Sequence, residues 1–214
     1  MAYERWLIAR GNVLAPNWET LIALVKKMRE EKWLVGPGRA FTTVEVGEAN
    51  EEPVPETIDR AWIDDESREE LRMVWSCAGA QAPLAGAEAK TIELQRAPDF
   101  VYPVRKEIGP LPTECRCKED LSFEWDEEEL TPTFTKSTGI YTECEACSRT
   151  FDPAKGTAKL SDPVTKKTED VNGGAAYRFA IKVVSEEAAA FAPAFLAFVE
   201  KEFGRSFYEV GAAS

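Results

Sequence analysis

The 214-residue sequence predicts an α+β fold, with a mainly antiparallel sheet, two principal helices and an inserted hairpin module. The first observation is the order of the predicted elements, because a strand, a helix and a strand follow one another near both ends of the chain. Two split units of this kind build a ferredoxin-like sandwich. The second is composition, since 44% of the residues are apolar, enough to bury a core. We expect residues 1–109 and 156–214 to form one domain, interrupted by a module at 110–155.

The first unit begins with an apolar strand over residues 3–9. Asn17 is a favourable N-cap for the helix that follows. Apolar side chains recur at helical spacing up to Met28, and the helix should end near Lys32. After a Gly-Pro-Gly turn, a strand is expected over residues 41–46.

The second unit is expected to follow a hairpin whose turn is Asn172-Gly173, a dipeptide that favours tight hairpins. Its helix begins either at Glu186 or at Pro193, because proline is tolerated in the first turn. Gly204 lies just past the end of this helix, as a C-terminal cap should. The remaining strands are expected over residues 71–77, 91–96, 158–161, 176–184 and 206–210.

Several other residues are expected to have structural roles. The segment Glu51–Glu56 contains two prolines and is expected to be a surface loop. The six tryptophans lie in separate elements, which favours core packing over a ligand platform. Cys77 lies in an apolar strand and is expected to be a buried small hydrophobic residue.

The charge of the chain excludes several classes of function. There are 26 basic and 38 acidic side chains, a formal charge of −12, and no histidine. A histidine general base and histidine metal ligands are therefore excluded. The acidic balance argues against nucleic acid and anionic membranes as partners. The acids concentrate in two segments, with a net charge of −9 over residues 45–70 and −6 over residues 114–129.

The most specific chemical pattern is a pair of cysteine motifs, Cys115-x-Cys117 and Cys144-x-x-Cys147. Zinc favours four thiolates in a tetrahedron, which closes the coordination shell and gives the metal a structural role. Alternating apolar residues between the motifs predict a hairpin that brings the two pairs together. Reduced or disulfide-linked thiols, or a redox role, are the alternatives.

This pattern resembles a zinc ribbon over residues 110–153, although the first motif is Cys-x-Cys and no glycine follows Cys117 or Cys147. The resemblance implies a structural Zn²⁺ held by Cys115, Cys117, Cys144 and Cys147. The whole chain is similar to small, acidic, uncharacterised bacterial proteins. That similarity implies no activity.

The acidic run Asp126, Glu127, Glu128 and Glu129 is expected at the tip of the hairpin, where it repels phosphate and favours protein contact. We therefore expect a non-enzymatic binding protein, most concretely an inhibitor or immunity-type protein that captures a basic partner such as a toxin. Solvated acidic loops that aid solubility are the alternative interpretation of both segments.

Two other functions remain open from the sequence. The carboxylates between Asp64 and Glu70 offer oxygen ligands for a divalent cation, which suits a metal-dependent hydrolase or phosphotransfer enzyme. A structural adaptor that docks through the ribbon is the other. An odd number of cysteines and the lack of a signal segment or a long apolar run favour the cytoplasm.

Overall fold

The structure is a computed structural model. It describes residues 2–9, 16–44, 48–63, 70–101 and 177–213. Between residues 101 and 177 it describes shorter stretches, which are 104–105, 109–110, 113–114, 117–119, 125–126, 131–132, 142–143, 146–148, 150–151, 157–161 and 168–172.

Within these ranges the chain forms three helices and sixteen strands. The helices are α1 (Trp18–Glu30), α2 (Arg60–Ile63) and α3 (Pro193–Phe203). The longer strands are β1 (Tyr3–Ala9), β2 (Gly38–Val44), β3 (Glu48–Val54), β4 (Leu71–Ser76), β5 (Ala89–Val101), β13 (Thr157–Ser161), β14 (Thr168–Asn172), β15 (Tyr177–Ser185) and β16 (Phe207–Ala213). The two-residue strands are β6 (Val104–Arg105), β7 (Gly109–Pro110), β8 (Thr113–Glu114), β9 (Trp125–Asp126), β10 (Thr131–Pro132), β11 (Thr142–Glu143) and β12 (Thr150–Phe151).

Seven strands form the main sheet, in the order β16-β1-β15-β5-β4-β2-β3. Every neighbouring pair is antiparallel. With helices on one face of this sheet, the α+β class and the antiparallel sheet are confirmed.

The connections between helices and strands follow from this order. Helix α3 links β15 to β16, which lie on either side of β1 and therefore run in the same direction. Helix α1 follows β1 and leads to β2, which runs parallel to β1, unlike β15 and β16, and lies beyond β15, β5 and β4. Val101 lies opposite Tyr177, so the chain leaves the sheet at β5 and re-enters it directly alongside, at β15.

Helix α1 has the capping that its sequence predicts. The Asn17 side chain accepts a hydrogen bond from the backbone N–H of Thr20 at 2.9 Å. This bond satisfies one of the N–H groups that a helix start leaves without a partner. Lys27 and Arg29 lie in the last turn, where cations offset the helix dipole. The helix buries an apolar stripe of Leu21, Leu24, Val25 and Met28.

Helix α3 begins at Pro193, so the earlier start at Glu186 is wrong. The backbone before it is already bonded elsewhere. Ala192 donates its N–H to the carbonyl of Pro83 at 2.8 Å, and Ala85 donates to the carbonyl of Ala190 at 2.9 Å. These bonds hold the segment in an extended bridge, and proline at the first helical position needs no acceptor for an N–H.

Two strand predictions are corrected. The stretch expected to be a loop at Glu51–Glu56 is mostly strand, because β3 pairs with β2 along seven residues. The hairpin expected at Asn172-Gly173 is wrong, because the strands before and after this dipeptide do not pair with each other. Strand β14 pairs with β13, whereas β15 pairs with β5 and β1.

The core lies between the helices and one face of the sheet. Its largest buried side chains include Trp75, Phe179 and Phe195. Trp33 packs edge-on against Phe195 with ring centroids 5.0 Å apart. Trp6 is also buried, on the opposite face of the sheet, so burial is confirmed for three of the tryptophans and packing in this core for Trp33 and Trp75. Cys77 is buried as expected, and desolvation raises the pKa of its thiol to about 11, which makes it a poor nucleophile.

A close approach between β2 and β4 explains one glycine. Gly38 lies opposite Trp75, and a β-carbon at residue 38 would meet the indole Nε1 and Cε2 atoms well inside van der Waals contact. The indole is 1% exposed and packed in the core, so it has little freedom to move aside. The absence of a side chain at residue 38 therefore determines how closely Trp75 can pack.

Replacing Gly38 with alanine should lower the free energy of unfolding by about 1–3 kcal/mol, the usual cost of overpacking a core. The same change should cost much less in a Trp75→Leu background, because the indole is gone. Chemical denaturation of the four proteins of this double-mutant cycle measures the difference. An equal cost in both backgrounds would contradict the steric explanation.

Candidate functional site

The residues singled out by the sequence lie only partly within the described structure. Cys115, Cys144, Glu127, Glu128 and Glu129 lie outside the described residues, as do residues 64–69 of the carboxylate cluster. Asp126 lies in β9 and pairs with Thr131. Cys117 and Cys147 are exposed and lie in or beside short turns.

The zinc-ribbon interpretation is corrected by the structure. Among the described residues, no group of three or more cysteine, aspartate or glutamate side chains could hold a metal ion. The strands expected to form one hairpin belong to separate two-stranded sheets, since β9 pairs with β10 and β11 pairs with β12. The four-cysteine zinc ligation includes Cys115 and Cys144, which lie outside the described residues, so the described structure does not test that set.

A different set of side chains comes together on the face of the main sheet that points away from the helices. We call it the polar row. It crosses six strands and consists of Glu4, Lys182, Glu93, Gln95, Arg72, Arg39 and Glu51.

Strand alternation places the polar row on this face. Leu7, Ile181 and Leu94 point into the helix-side core, so the residues next to each of them point the other way. The register then aligns the polar residues: Lys182 lies opposite Glu93, and Gln95 lies opposite Arg72.

The buried end of the polar row is an ion pair between β1 and β15. Lys182 Nζ lies 2.6 Å from Glu4 Oε1, and the two side chains are 15% and 6% exposed. The Lys182 ammonium also lies 5.3 Å from the centroid of the Trp6 ring, within reach of a cation–π interaction. A buried carboxylate needs such a partner, because an unpaired buried charge is very costly.

The middle of the polar row is a hydrogen-bonded chain centred on Glu93. Its carboxylate accepts from Arg72 Nε at 2.9 Å and from Gln95 Nε2 at 2.6 Å. The buried Tyr177 hydroxyl donates to the Gln95 carbonyl. Burial, with the nearby Glu93 charge as the next cause, raises the pKa of Tyr177 far above that of an ordinary tyrosine. Tyr177 is therefore a hydrogen-bond donor at all physiological pH values.

The exposed end of the polar row surrounds Phe41. The guanidinium carbons of Arg72 and Arg39 lie 5.0 Å and 5.8 Å from the centroid of this ring. Arg39 also pairs with Glu51 at 3.2 Å, with both side chains largely in solvent. Exposed pairs of this kind contribute little to stability and exchange partners readily.

The chemistry of the polar row is that of paired charges. Glu4, Glu93 and Glu51 each have a cationic partner on a neighbouring strand, so three ion pairs join β1 to β15, β5 to β4 and β3 to β2. For Glu93 and Gln95 the sequence predicted only that they lie in a strand over residues 91–96. The opposition of Lys182 to Glu93 depends on strands far apart in sequence, and no local pattern marks it.

The first acidic segment lies at one edge of the sheet, which we call the acidic edge. Strand β3 is paired on one side only among the described strands, and with the turn after it carries Glu48, Glu51, Glu52, Glu56 and Asp59. The Glu51, Glu56 and Asp59 residues are exposed. Arg29 of α1 donates to the carbonyl oxygens of Pro55, at 3.0 Å, and Glu56. The end of the acidic edge is thus fastened to the helix layer.

Comparisons with known proteins found no matching family model, curated protein or solved structure. The resemblance to a zinc ribbon and to small acidic bacterial proteins is therefore not borne out. In the part of the chain that the structure describes, no helix is both long enough and apolar enough to cross a membrane.

Breaking the buried pair of the polar row should destabilise the fold. Replacing Lys182 with methionine leaves the Glu4 carboxylate buried without its cation, at a cost of roughly 3–5 kcal/mol. The double variant Glu4→Leu with Lys182→Met should recover much of that loss. Urea denaturation of the wild type, both single variants and the double variant provides the test. Additive effects of the two changes would contradict a direct coupling.

Tyr177 should make the protein sensitive to alkali. Because its pKa is raised on folding, the folded state keeps the phenolic proton when unfolded tyrosine, with a pKa of about 10, has lost it. This contribution to stability is fully present below about pH 10 and is lost as the pH rises further. Tyr177→Phe should therefore lose less stability than the wild type between neutral and strongly alkaline pH.

Unfolding free energies measured over that pH range test this expectation. Tyr3→Phe, which removes the hydroxyl of a tyrosine on β1 that is not fully buried, is the matched control for the loss of a hydroxyl group. Equal alkaline slopes for the wild type and Tyr177→Phe would contradict the role given to burial.

Proposed function

We propose that the protein is a non-enzymatic binding protein of the cytoplasm that captures a basic protein through its acidic edge. An inhibitor or immunity-type protein that blocks a basic toxin is the most concrete form of this proposal. The observation that carries it is the position of five acidic residues on an edge strand and the turn after it. Carboxylates in such a place attract a cationic surface over long distances and orient its approach.

Order in the acidic edge supports its use as a preformed binding surface. Strand β3 is paired with β2 over its full length, and Arg29 fixes the turn that follows. A surface that is already ordered loses less conformational entropy when it binds.

Three acids of the acidic edge, Glu51, Glu56 and Asp59, are exposed and therefore accessible to a partner. The Arg39–Glu51 pair is solvent-exposed, so a lysine or arginine of a partner can replace Arg39 at little cost. Pro53 and the glutamates also discourage the addition of another strand. We therefore propose that side chains, rather than backbone pairing, make the contact.

We also propose that the second half of the fold is ferredoxin-like. Support comes from β15, α3 and β16, which bracket β1 as a split unit does. The first half departs from that pattern, because three strands rather than one separate β1 from β2.

Neutralising the acidic edge should slow capture of the partner. Glu51, Glu52 and Glu56 are changed together to glutamine, and association is followed by stopped flow with the basic protein retained from the source cells. We expect a roughly tenfold lower association rate at low salt. The wild-type rate should itself fall steeply with salt, as the screening length shrinks from about 10 Å at 0.1 M to about 3 Å at 1 M.

The matched control changes three exposed acids elsewhere, Glu31, Glu88 and Glu187, to glutamine. It removes the same charge and should leave the rate nearly unchanged. A third variant with amides at residues 126–129 tests the competing segment. Salt-independent association, or equal effects of the edge and control variants, would refute the proposal.

A further inference from the structure

The two edges of the main sheet differ in how they are protected. Unpaired edge strands invite pairing with other chains, and proteins guard them with charges and proline. The acidic edge at β3 has both, in its glutamates and Pro53. The opposite edge, β16, has the sequence FYEVGAA, with one acidic residue and no proline or lysine. Among the described strands, β16 pairs only with β1.

The single carboxylate of β16 is turned toward the interior of its own chain. Glu209 Oε2 accepts from Arg5 Nε at 3.1 Å and from the backbone N–H of Phe191 at the same distance. Arg5 is buried, so this pair is fixed on the helix face of the sheet. Glu209 thus anchors β16 and does not guard its edge.

We propose that β16 pairs with β16 of a second copy of this chain, antiparallel and across a two-fold axis. The N–H of Phe207 is already donated to Glu200 at 2.9 Å, so the pairing begins after it. Centred on Val210, the register sets Tyr208 opposite Ala212, Glu209 opposite Gly211 and Val210 opposite itself. A two-fold interface must be self-complementary, and in this register no two like charges lie opposite each other.

The charge distribution suits this partner. The chain carries a net charge of −12, which opposes self-association in general. The acidic edge, however, lies at the other end of the sheet, six interstrand spacings or about 29 Å from β16. This distance is several times the screening length of about 8 Å at physiological salt. Repulsion between the acidic edges of two copies is therefore screened.

Charged variants at the two-fold position test the proposal on the full chain. The wild type should sediment as a dimer of the 23.8 kDa chain. Val210→Glu and Val210→Lys each place like charges directly opposite one another, so each should sediment as a monomer. An equimolar mixture of the two variants should again form dimers. The control Ala212→Lys, which opposes Tyr208 and not itself and lies opposite Glu4 of its own chain, should remain dimeric.

Circular dichroism establishes that each variant is folded. If the Val210 variants unfold, hydrogen exchange of the wild type decides the question, because amides of β16 should gain protection with rising concentration while those of β3 should not. A wild type that is monomeric throughout the micromolar range would overturn the proposal. So would Val210 variants that are folded and still dimeric, or β16 amides whose protection does not change with concentration.

Discussion

The structure depends on one long-range constraint, the insertion of the first strand between the last two. Strand β1 pairs with β15 on one side and β16 on the other, and it has no partner close to it in sequence. Its backbone donors and acceptors are satisfied only when residues 177–213 are in place. Closing so long a loop costs entropy before any pairing is gained. The N-terminal strand and the C-terminal unit therefore stabilise one another as a single cooperative element.

This constraint also explains why charged residues are tolerated in the sheet. Strand β1 is buried on both faces over most of its length, so Glu4 has no route to bulk solvent. The register of β1 against β15 places Lys182 within 2.6 Å of it. A slip of one residue would turn Lys182 toward the helix-side core, next to Phe179 and Ile181. The ion pair thus adds specificity to the register of β1 against β15.

The local elements could be predicted from the sequence, and their partners could not. Two local signals, Asn17 and an apolar stripe, place helix α1. Another local signal, Gly204, places the end of α3. The start of α3 depends on a backbone bridge to Pro83, which no pattern near residue 186 reveals. The misassigned loop at Glu51–Glu56 has the same cause, because pairing with β2 overrides the local preference of prolines and glutamates.

The candidate sites follow the same division. Clustered acids can be counted in the sequence, so the acidic edge could be found, although not its place in the sheet. The polar row could not be found, because Glu4, Glu93 and Lys182 lie in three strands that are far apart in the sequence, and no local pattern pairs them. The cysteine motifs were the most specific local signal, and the zinc-ribbon interpretation built on them was wrong. Spacing alone does not determine which strands pair, and β11 pairs with β12 rather than with the preceding hairpin strand.

The two edges of the main sheet are suited to different kinds of contact. Charge and proline protect β3 from strand pairing while its side chains remain available for binding. The edge of β16 has few residues that would prevent another strand from pairing with its backbone. A two-fold through β16 would place two acidic edges at the far ends of one continuous sheet, about 60 Å apart. A small basic protein could not span that distance, so each edge would bind its own partner. Self-association and capture would then use separate surfaces, and one would not compete with the other.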